Sequence, residues 1–418
     1  MMKMKNAHLV ALFIFVMLAS AAKAQSPSTD TGFCSQSAVA STAKQVQLAR
    51  KNLLSLPIGD GLQTDVSPAA QQAVASMKNA VSEFVRSYMR CAPARLDDAA
   101  VERSLSTLVG GYELPRGQVI SNDHLPPDFG KYGFELYFGV RQTENPRIVS
   151  ITADFSIECG GDTVLLIFSP KDGSWSEVLH WQTKPYTTVA GGTMAFDYGI
   201  SPVDESGGWY AVVHTIAPWC SSTWSSIQYE ALRPTADAVK PRVLLSKSDY
   251  MWWGNEDYGK VEVGRNECDI RFHSSSIDGG VHNRVFIRHY SVMGNTVRRT
   301  QPVAVSPRDF VDEWIVSPWS EARAWSSGAS LSGLRQAHDM WSRNDKADNR
   351  LLDFCSVHRC SGENYQVEVC EETGKNFTVS HSSYFEVAGS GPFTMTHVSA
   401  SPNPECKGRD LLEDMATK

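Results

Sequence analysis

Asp269, Arg271 and His273 alternate with Cys268, Ile270 and Phe272, a period of two that sets the polar trio on one face of a strand and the apolar trio on the other. Beyond the loop of residues 274–282, Arg284 and Arg288 share a face of a second run of the same kind. Paired as a hairpin, the two runs are expected to gather an aspartate, a histidine and up to three guanidinium groups. Such a group would clamp a phosphate or carboxylate through Arg271, Arg284 and Arg288. His273 or His282 would then carry the proton, which makes Asp269, His273 and His282 the candidate catalytic residues. The same charges also suit a solvated sheet face, where each exposed ion pair is worth only ~0.2–1 kcal/mol.

A second chemistry is written around Trp252 and Trp253, which precede Gly254, Asn255, Glu256 and Asp257, with Tyr250 and Tyr258 on either side. Indole faces beside carboxylates and an amide are what a sugar needs, an apolar plane for its ring and acceptors for its hydroxyls. Trp252, Trp253, Glu256 and Asp257 are therefore candidate glycan-binding residues. Adjacent carboxylates do not face one another across a glycosidic bond, so Glu256 and Asp257 are read as binding groups and not as a glycosidase pair. All eleven Trp fall between Trp175 and Trp341, and an aromatic β core accounts for such a distribution equally well.

No GxSxG elbow, HExxH, phosphate loop or dinucleotide fingerprint occurs. Ser41-Thr42-Ala43-Lys44 matches SxxK, but it lies inside a predicted helix without the companion motifs of the penicillin-recognising enzymes. His180, His214 and His289 fall among apolar strand residues, as hydrogen-bonded core histidines do, and no histidine or cysteine shows zinc spacing. Neither a metal nor any other cofactor is expected. The residues leave open whether the protein is an enzyme.

Lys3 and Lys5, the uncharged run from Leu9 to Ala19 and the Ala22-Lys23-Ala24 triplet read as a signal peptide cut before Gln25. The run of about 11 residues is shorter than the ~20 a helix needs to span a bilayer, and no later segment is long and apolar enough. The expected product is exported, to the periplasm or the medium, with no membrane span after cleavage. Loss of Lys3, Lys5 and Lys23 takes the formal charge from −7 to −10, which argues against a nucleic-acid partner. All nine cysteines lie beyond residue 24, and in an oxidising compartment they are read as disulfides.

The elements that position these residues begin with helices. Residues 36–54, 69–89 and 99–109 lack internal Gly and Pro. The second places Val74, Met77, Val81, Phe84, Val85 and Tyr88 at helical spacing. An antiparallel hairpin of the first two would bring Cys34 to Cys91. From residue 132 to 305 the period becomes two, with strands expected over 134–140, 148–155, 164–168, 175–181, 209–215, 226–232, 243–246, 268–273, 284–292 and 296–301. Asp172-Gly173 and Gly294 mark hairpin turns. Cys159 and Cys220 lie in loops of this region and are expected to pair. Ser306, Pro307 and Asp309 start a helical insertion, and 331–341 is another helix. In the tail, Tyr365, Val367 and Val369 alternate with polar residues. Cys355, Cys360, Cys370 and Cys406 make two pairs there, which leaves Cys268 as a buried odd thiol.

The expected architecture is mainly β. It divides into a leader (1–24), a helical N-terminal region (25–111), an antiparallel β domain of sandwich or propeller type (112–305), a helical insertion (306–350) and a small Cys-rich β tail (351–418). The function expected is non-catalytic binding of an envelope or environmental ligand, a glycan first. The alternatives are an extracytoplasmic hydrolase of an anionic substrate and a structural or protein-binding module with exposed aromatics as its docking patch. Oligomeric state is not readable from the chain.

Overall fold

Three capped helices open the described part of the chain. A computed structural model describes residues 35–57, 66–110, 131–158, 160–187, 192–217, 223–252, 259–277, 284–328, 331–342, 351–373 and 378–412. Helix α1 (Gln36–Leu54) is capped by the Ser35 hydroxyl, which accepts from the Ala38 N–H. Helix α2 (Pro68–Cys91) has Pro68 in its first turn and Ser67 as cap, and α3 (Asp98–Val109) is capped by Asp97. Gly110, in the left-handed region, ends α3. The expected stripe of α2 is buried from Val74 to Val85, and α1 and α2 pack together as the expected hairpin.

Sixteen strands follow, among the described residues, as four antiparallel four-stranded sheets. The first holds β1 (Leu136–Glu144), β2 (Arg147–Ile157), β3 (Gly160–Lys171) and β4 (Ser174–Gln182). The second holds β5 (Ala195–Ile200), β6 (Ala211–Ala217), β7 (Trp224–Arg233) and β8 (Arg242–Trp252). The third holds β9 (Lys260–Val263), β10 (Glu267–Ser274), β11 (Arg284–Met293) and β12 (Thr296–Arg299). In each, strand order equals chain order. Asp172 and Gly173 join β3 to β4 with φ of 49° and 80°, the pair of positive values that a two-residue hairpin turn needs.

The sheets stack face to face. Helices α1–α3 cover one face of the first sheet through Val74, Val81 and Phe84 against Phe138, Ile151 and Leu166. Its other face meets the second sheet, Ile148, Leu165 and Ile167 against Tyr198, Val213 and Leu232. The second and third sheets share Tyr229, Met251, Ile270, Phe272 and Tyr290. Burial on both faces explains why β3 reads as a continuous apolar run (Val164–Phe168) and not as an alternating one.

Helices α4 (Pro307–Val316), α5 (Trp319–Ala322) and α6 (Leu331–Trp341), with a 3-10 turn at Arg323–Trp325, form the insertion. They pack on the fourth sheet, β13 (Leu351–Arg359), β14 (Asn364–Thr373), β15 (Thr378–Ala388) and β16 (Thr394–Ser399), around Trp314. Cys355–Cys370 and Cys360–Cys406 staple that sheet. Cys91 is disulfide-bonded, whereas Cys34, Cys159, Cys220 and the segment 1–24 expected to be a leader lie outside the described residues. None of the described helices is long and apolar enough to cross a membrane.

Two strands escape the sequence pattern, β5 and β9. Ala195–Ile200 carries Asp and Gly among its apolar residues, and Lys260–Val263 is only four residues long. β8 also runs on to Trp252, well past the expected 243–246. Cys268 is the expected unpaired, buried thiol. Burial, with Asp269 and Glu267 adding to it, pushes that thiol up to about 12. We expect iodoacetamide to leave Cys268 unlabelled in the folded protein and to label it in guanidinium chloride. Rapid labelling without denaturant, located by peptide mass spectrometry, would contradict the burial of β10.

Candidate functional site

Register decides what the third sheet does with its charges. Ile270 pairs with Arg288 and Ser274 with Arg284, while Arg271 pairs with Ile287 and Asp269 with His289. Residues directly opposite one another in an antiparallel pair share a face. Arg284 and Arg288 therefore lie on the face of Phe272 and Phe286, opposite to Asp269, Arg271 and His273. The hairpin forms, yet it does not gather the expected cluster.

The two arginines point inward, to α4. Arg284 meets Asp312 at 3.0 Å and Glu313 at 2.5 Å, and its guanidinium lies 3.6 Å over the Phe286 ring. Arg288 bridges Glu313 at 2.8 Å and Asp249 of β8 at 3.0 Å. Arg299 completes the group, at 2.6 Å from Glu313 and 3.1 Å from Glu321. Burial alone would raise the Glu313 carboxyl, but Arg284, Arg288 and Arg299 outweigh it and hold the group far below the ordinary range. On the outer face Asp269 accepts from His289 Nδ1 and lies 3.6 Å from Arg271. His282 lies outside the described residues, as do Trp253, Glu256 and Asp257. Trp252 ends β8.

A different set of side chains converges where the first and second sheets part. In the second sheet Tyr198, Val213, Glu230 and Ser246 form one row across the strands, and Phe196, Thr215, Gln228 and Ser248 the next. Ser226 and Tyr250 follow, then Trp224 and Trp252, all by direct pairing on the face of Tyr198 and Val213 that turns to the first sheet. Trp181 of β4 reaches across to this face. Its indole N–H donates to Glu230 Oε2 at 3.0 Å, and its rings stack on Phe196 with centroids 5.4 Å apart. The Ser246 hydroxyl donates to Glu230 Oε1 at 3.0 Å, and Lys184 Nζ to Gln228 Oε1 at 2.9 Å. A cleft of ≈ 230 Å³ opens among these groups, with Thr183, Thr193 and Thr215 also in its wall. Its size, a little under the ~300–1,000 Å³ of most ligand pockets, suits a small polar molecule or one unit of a longer one.

The cleft rim is held from beneath by α2. Lys78 Nζ donates to the Thr183 carbonyl at 2.8 Å, to Thr183 Oγ1 at 3.0 Å and to the Lys184 carbonyl at 3.1 Å, and it pairs with Asp162 at 3.0 Å. Burial pushes the Lys78 ammonium down and the Asp162 carboxyl up, and their mutual attraction offsets only part of this. Across the sheet edge, Gly161 exchanges two backbone hydrogen bonds with Thr193. The Gly160 backbone has φ +128°, and a Cβ there would come within 2.1 Å of the Thr193 carbonyl oxygen, so only glycine permits the closure. Beyond Thr193 lies a second hollow, lined by Glu135, Tyr137, Asp154 and Phe196. Burial pushes the Asp154 carboxyl up to about 6, against the opposing hydrogen bond from the Thr163 hydroxyl, and Asp162 adds to the rise.

Trp181, Lys184, Gln228, Glu230 and Ser246 carry no motif. The visible signal was the alternation of Trp224, Ser226, Gln228 and Glu230 with Ser225, Ile227, Tyr229 and Ala231, a strand with one polar face; what that face meets is not in the pattern. No protein-family model matches the chain, and no curated protein matches it in sequence.

Glu313→Gln is expected to lower unfolding free energy by roughly 3–5 kcal/mol in urea titrations, because three buried or half-buried guanidinium groups lose their shared counter-charge. A loss under about 1 kcal/mol would show that the network is dispensable. Asp154 behaves oppositely with pH. Its carboxyl sits at about 6 in the fold against an ordinary 3.8, so the protonated form is favoured on folding and stability falls as pH rises between those values. Asp154→Asn keeps an acceptor for Thr163. It should match the parent below pH 4 and exceed it by up to ~3 kcal/mol above pH 7, with a gap independent of pH as the contrary result.

Proposed function

We propose that this protein is an exported, non-catalytic glycan-binding protein whose ligand lies in the cleft between the first and second sheets. One observation carries the reading. Trp181, Glu230, Gln228, Lys184 and Ser246 share one opening, on a sheet face that continues through Ser226 and Tyr250 to the Trp224–Trp252 pair. A sugar ring has apolar C–H faces and a rim of hydroxyls. Indole and phenol rings take the first, and carboxylate and amide groups bind vicinal hydroxyls in pairs. Tyr250, 72% exposed, offers such a ring to solvent, which an apolar core does not require. The binding groups thus differ from those read over 250–258 in Trp253, Glu256 and Asp257, while Tyr250 and Trp252 are common to both sets.

Export rests on the leader at 1–24 and is supported by the disulfides of the fourth sheet, which fit a non-reducing compartment. A hydrolase built on Asp269, Arg271, His273, Arg284 and Arg288 has less support, since the sheet separates the first three from the last two and protein carboxylates occupy both buried arginines.

The test is a broad glycan array with the purified chain, followed by calorimetry on the sugars retained. We expect Trp181→Ala to weaken binding by at least ~10-fold. Tyr250→Ala, at an exposed site, should cost roughly 2- to 10-fold without changing the melting temperature. Absence of binding to every sugar, or affinity indifferent to both substitutions, would refute the proposal.

A further inference from the structure

Resting on the carbohydrate reading of this cleft, we propose that its ligand is a straight, uncharged, β-1,4-linked chain of several sugar units laid along β7 and β8. The polar face begins at the Glu230–Ser246 pair and passes Gln228–Ser248 and Ser226–Tyr250 before it ends at Trp224–Trp252. Its two ends lie ~20 Å apart at the ~3.4 Å rise per residue of an antiparallel strand. Several sugar rings laid end to end fill that distance, and one ring does not. Ser246, Ser248 and Tyr250 are all exposed, so the face stays open along β8 beyond the cleft.

Charge is balanced there. Among the described residues, Lys184 and Glu230 are the charged side chains that reach the cleft, one of each sign. Lys247 borders it but pairs with Tyr229, and so projects from the opposite face. The rest of this face on β7 and β8 carries hydroxyl, amide and ring groups, which offer a charged sugar no counter-charge. Gln228 accepts from Lys184 through its carboxamide oxygen, which leaves its amide N–H groups to donate. The Ser226 and Ser248 hydroxyls bond to each other at 2.6 Å, and each keeps an oxygen lone pair to accept with. These rows follow one strand pair and so lie in line. A β-1,4 linkage turns each ring over relative to the last and keeps the chain straight, whereas an α-1,4 linkage curves it off such a track. Trp181 closes the track at Glu230, and Tyr250 with the Trp224–Trp252 pair supplies ring faces at the far end.

Calorimetry with the whole chain tests this on three series that run from disaccharide to hexasaccharide: cello-, chito- and malto-oligosaccharides. In at least one of the first two, affinity is expected to rise roughly 5- to 30-fold from di- to tetrasaccharide and then level off. Malto-oligosaccharides of equal length should bind at least ~10-fold more weakly. Raising NaCl from about 0.05 to 1 M should leave the affinities unchanged, as an uncharged ligand requires. Trp181→Ala should weaken every length, whereas Tyr250→Ala should remove most of the gain that longer chains bring. A disaccharide as tight as the tetrasaccharide, a malto series as tight as the straight ones, or a gain that survives Tyr250→Ala would overturn the assignment. Retention of charged or branched glycans alone would do the same. Each of these results leaves the carbohydrate reading standing. Failure of every sugar would overturn the two together.

Discussion

Glu313 is buried in the middle of three guanidinium groups, from Arg284, Arg288 and Arg299. Removing a carboxylate from water costs several kcal/mol, and so does removing each arginine. Neither side is tolerable alone, so helix and sheet must meet in one register for all four groups to be satisfied. The contacts spread outward from there. Arg288 also holds Asp249 of β8, and Arg284 holds Asp312 one residue before Glu313. The second sheet, the third sheet and the helical insertion are thereby locked to one another by charge, where apolar packing alone would allow sliding. The Phe272–Phe286 stack beneath the arginines supplies the apolar floor and a cation–π contribution.

At the other end of the stack the same logic recurs on a smaller scale. Lys78 and Asp162 are both buried, and the lysine's remaining protons go to the strap at residues 183–184. Lys78, Ser82 and Arg86 lie at successive turns of α2 and reach Asp162, His180 and Glu177 of the first sheet. This polar ladder runs alongside the apolar stripe of the helix. It sets how the helical hairpin sits on the sheet, and therefore where the rim of the cleft lies.

Between these two anchors the sheets are stacked mostly by apolar contact, and their faces differ in what they leave over. The second sheet buries Tyr229, Ile227 and Met251 against the third. Its opposite face is apolar only where the first sheet covers it. Past that edge it turns to Glu230, Gln228, Ser226, Ser246 and Ser248, with Tyr250, Trp224 and Trp252 at the far end. The cleft opens beside the end of β4, at Trp181 and Gln182, over this polar face of β7 and β8.

Local chemistry was enough to read the helices, the hairpin turn at Asp172-Gly173, the alternating strands, the odd cysteine at Cys268 and the start of α4 at Ser306-Pro307. Each depends on neighbours within a few residues, whose spacing is written in the chain. The same period of two made Asp269, Arg271 and His273 visible as one face, and it did so correctly. Whether Arg284 and Arg288 joined them depended on pairing register, and a shift of one residue exchanges the faces. That choice was made by burial: Phe272 and Phe286 had to lie toward the second sheet and α4, which carried the arginines inward to Glu313, a residue of a helix from a later part of the chain. Trp181 and Glu230 are likewise ordinary strand residues until two sheets meet. Spacing along the chain sets which residues alternate and where elements begin and end. Which faces touch is set by packing between elements, because a side chain's partners come from another strand or sheet and no local periodicity encodes them.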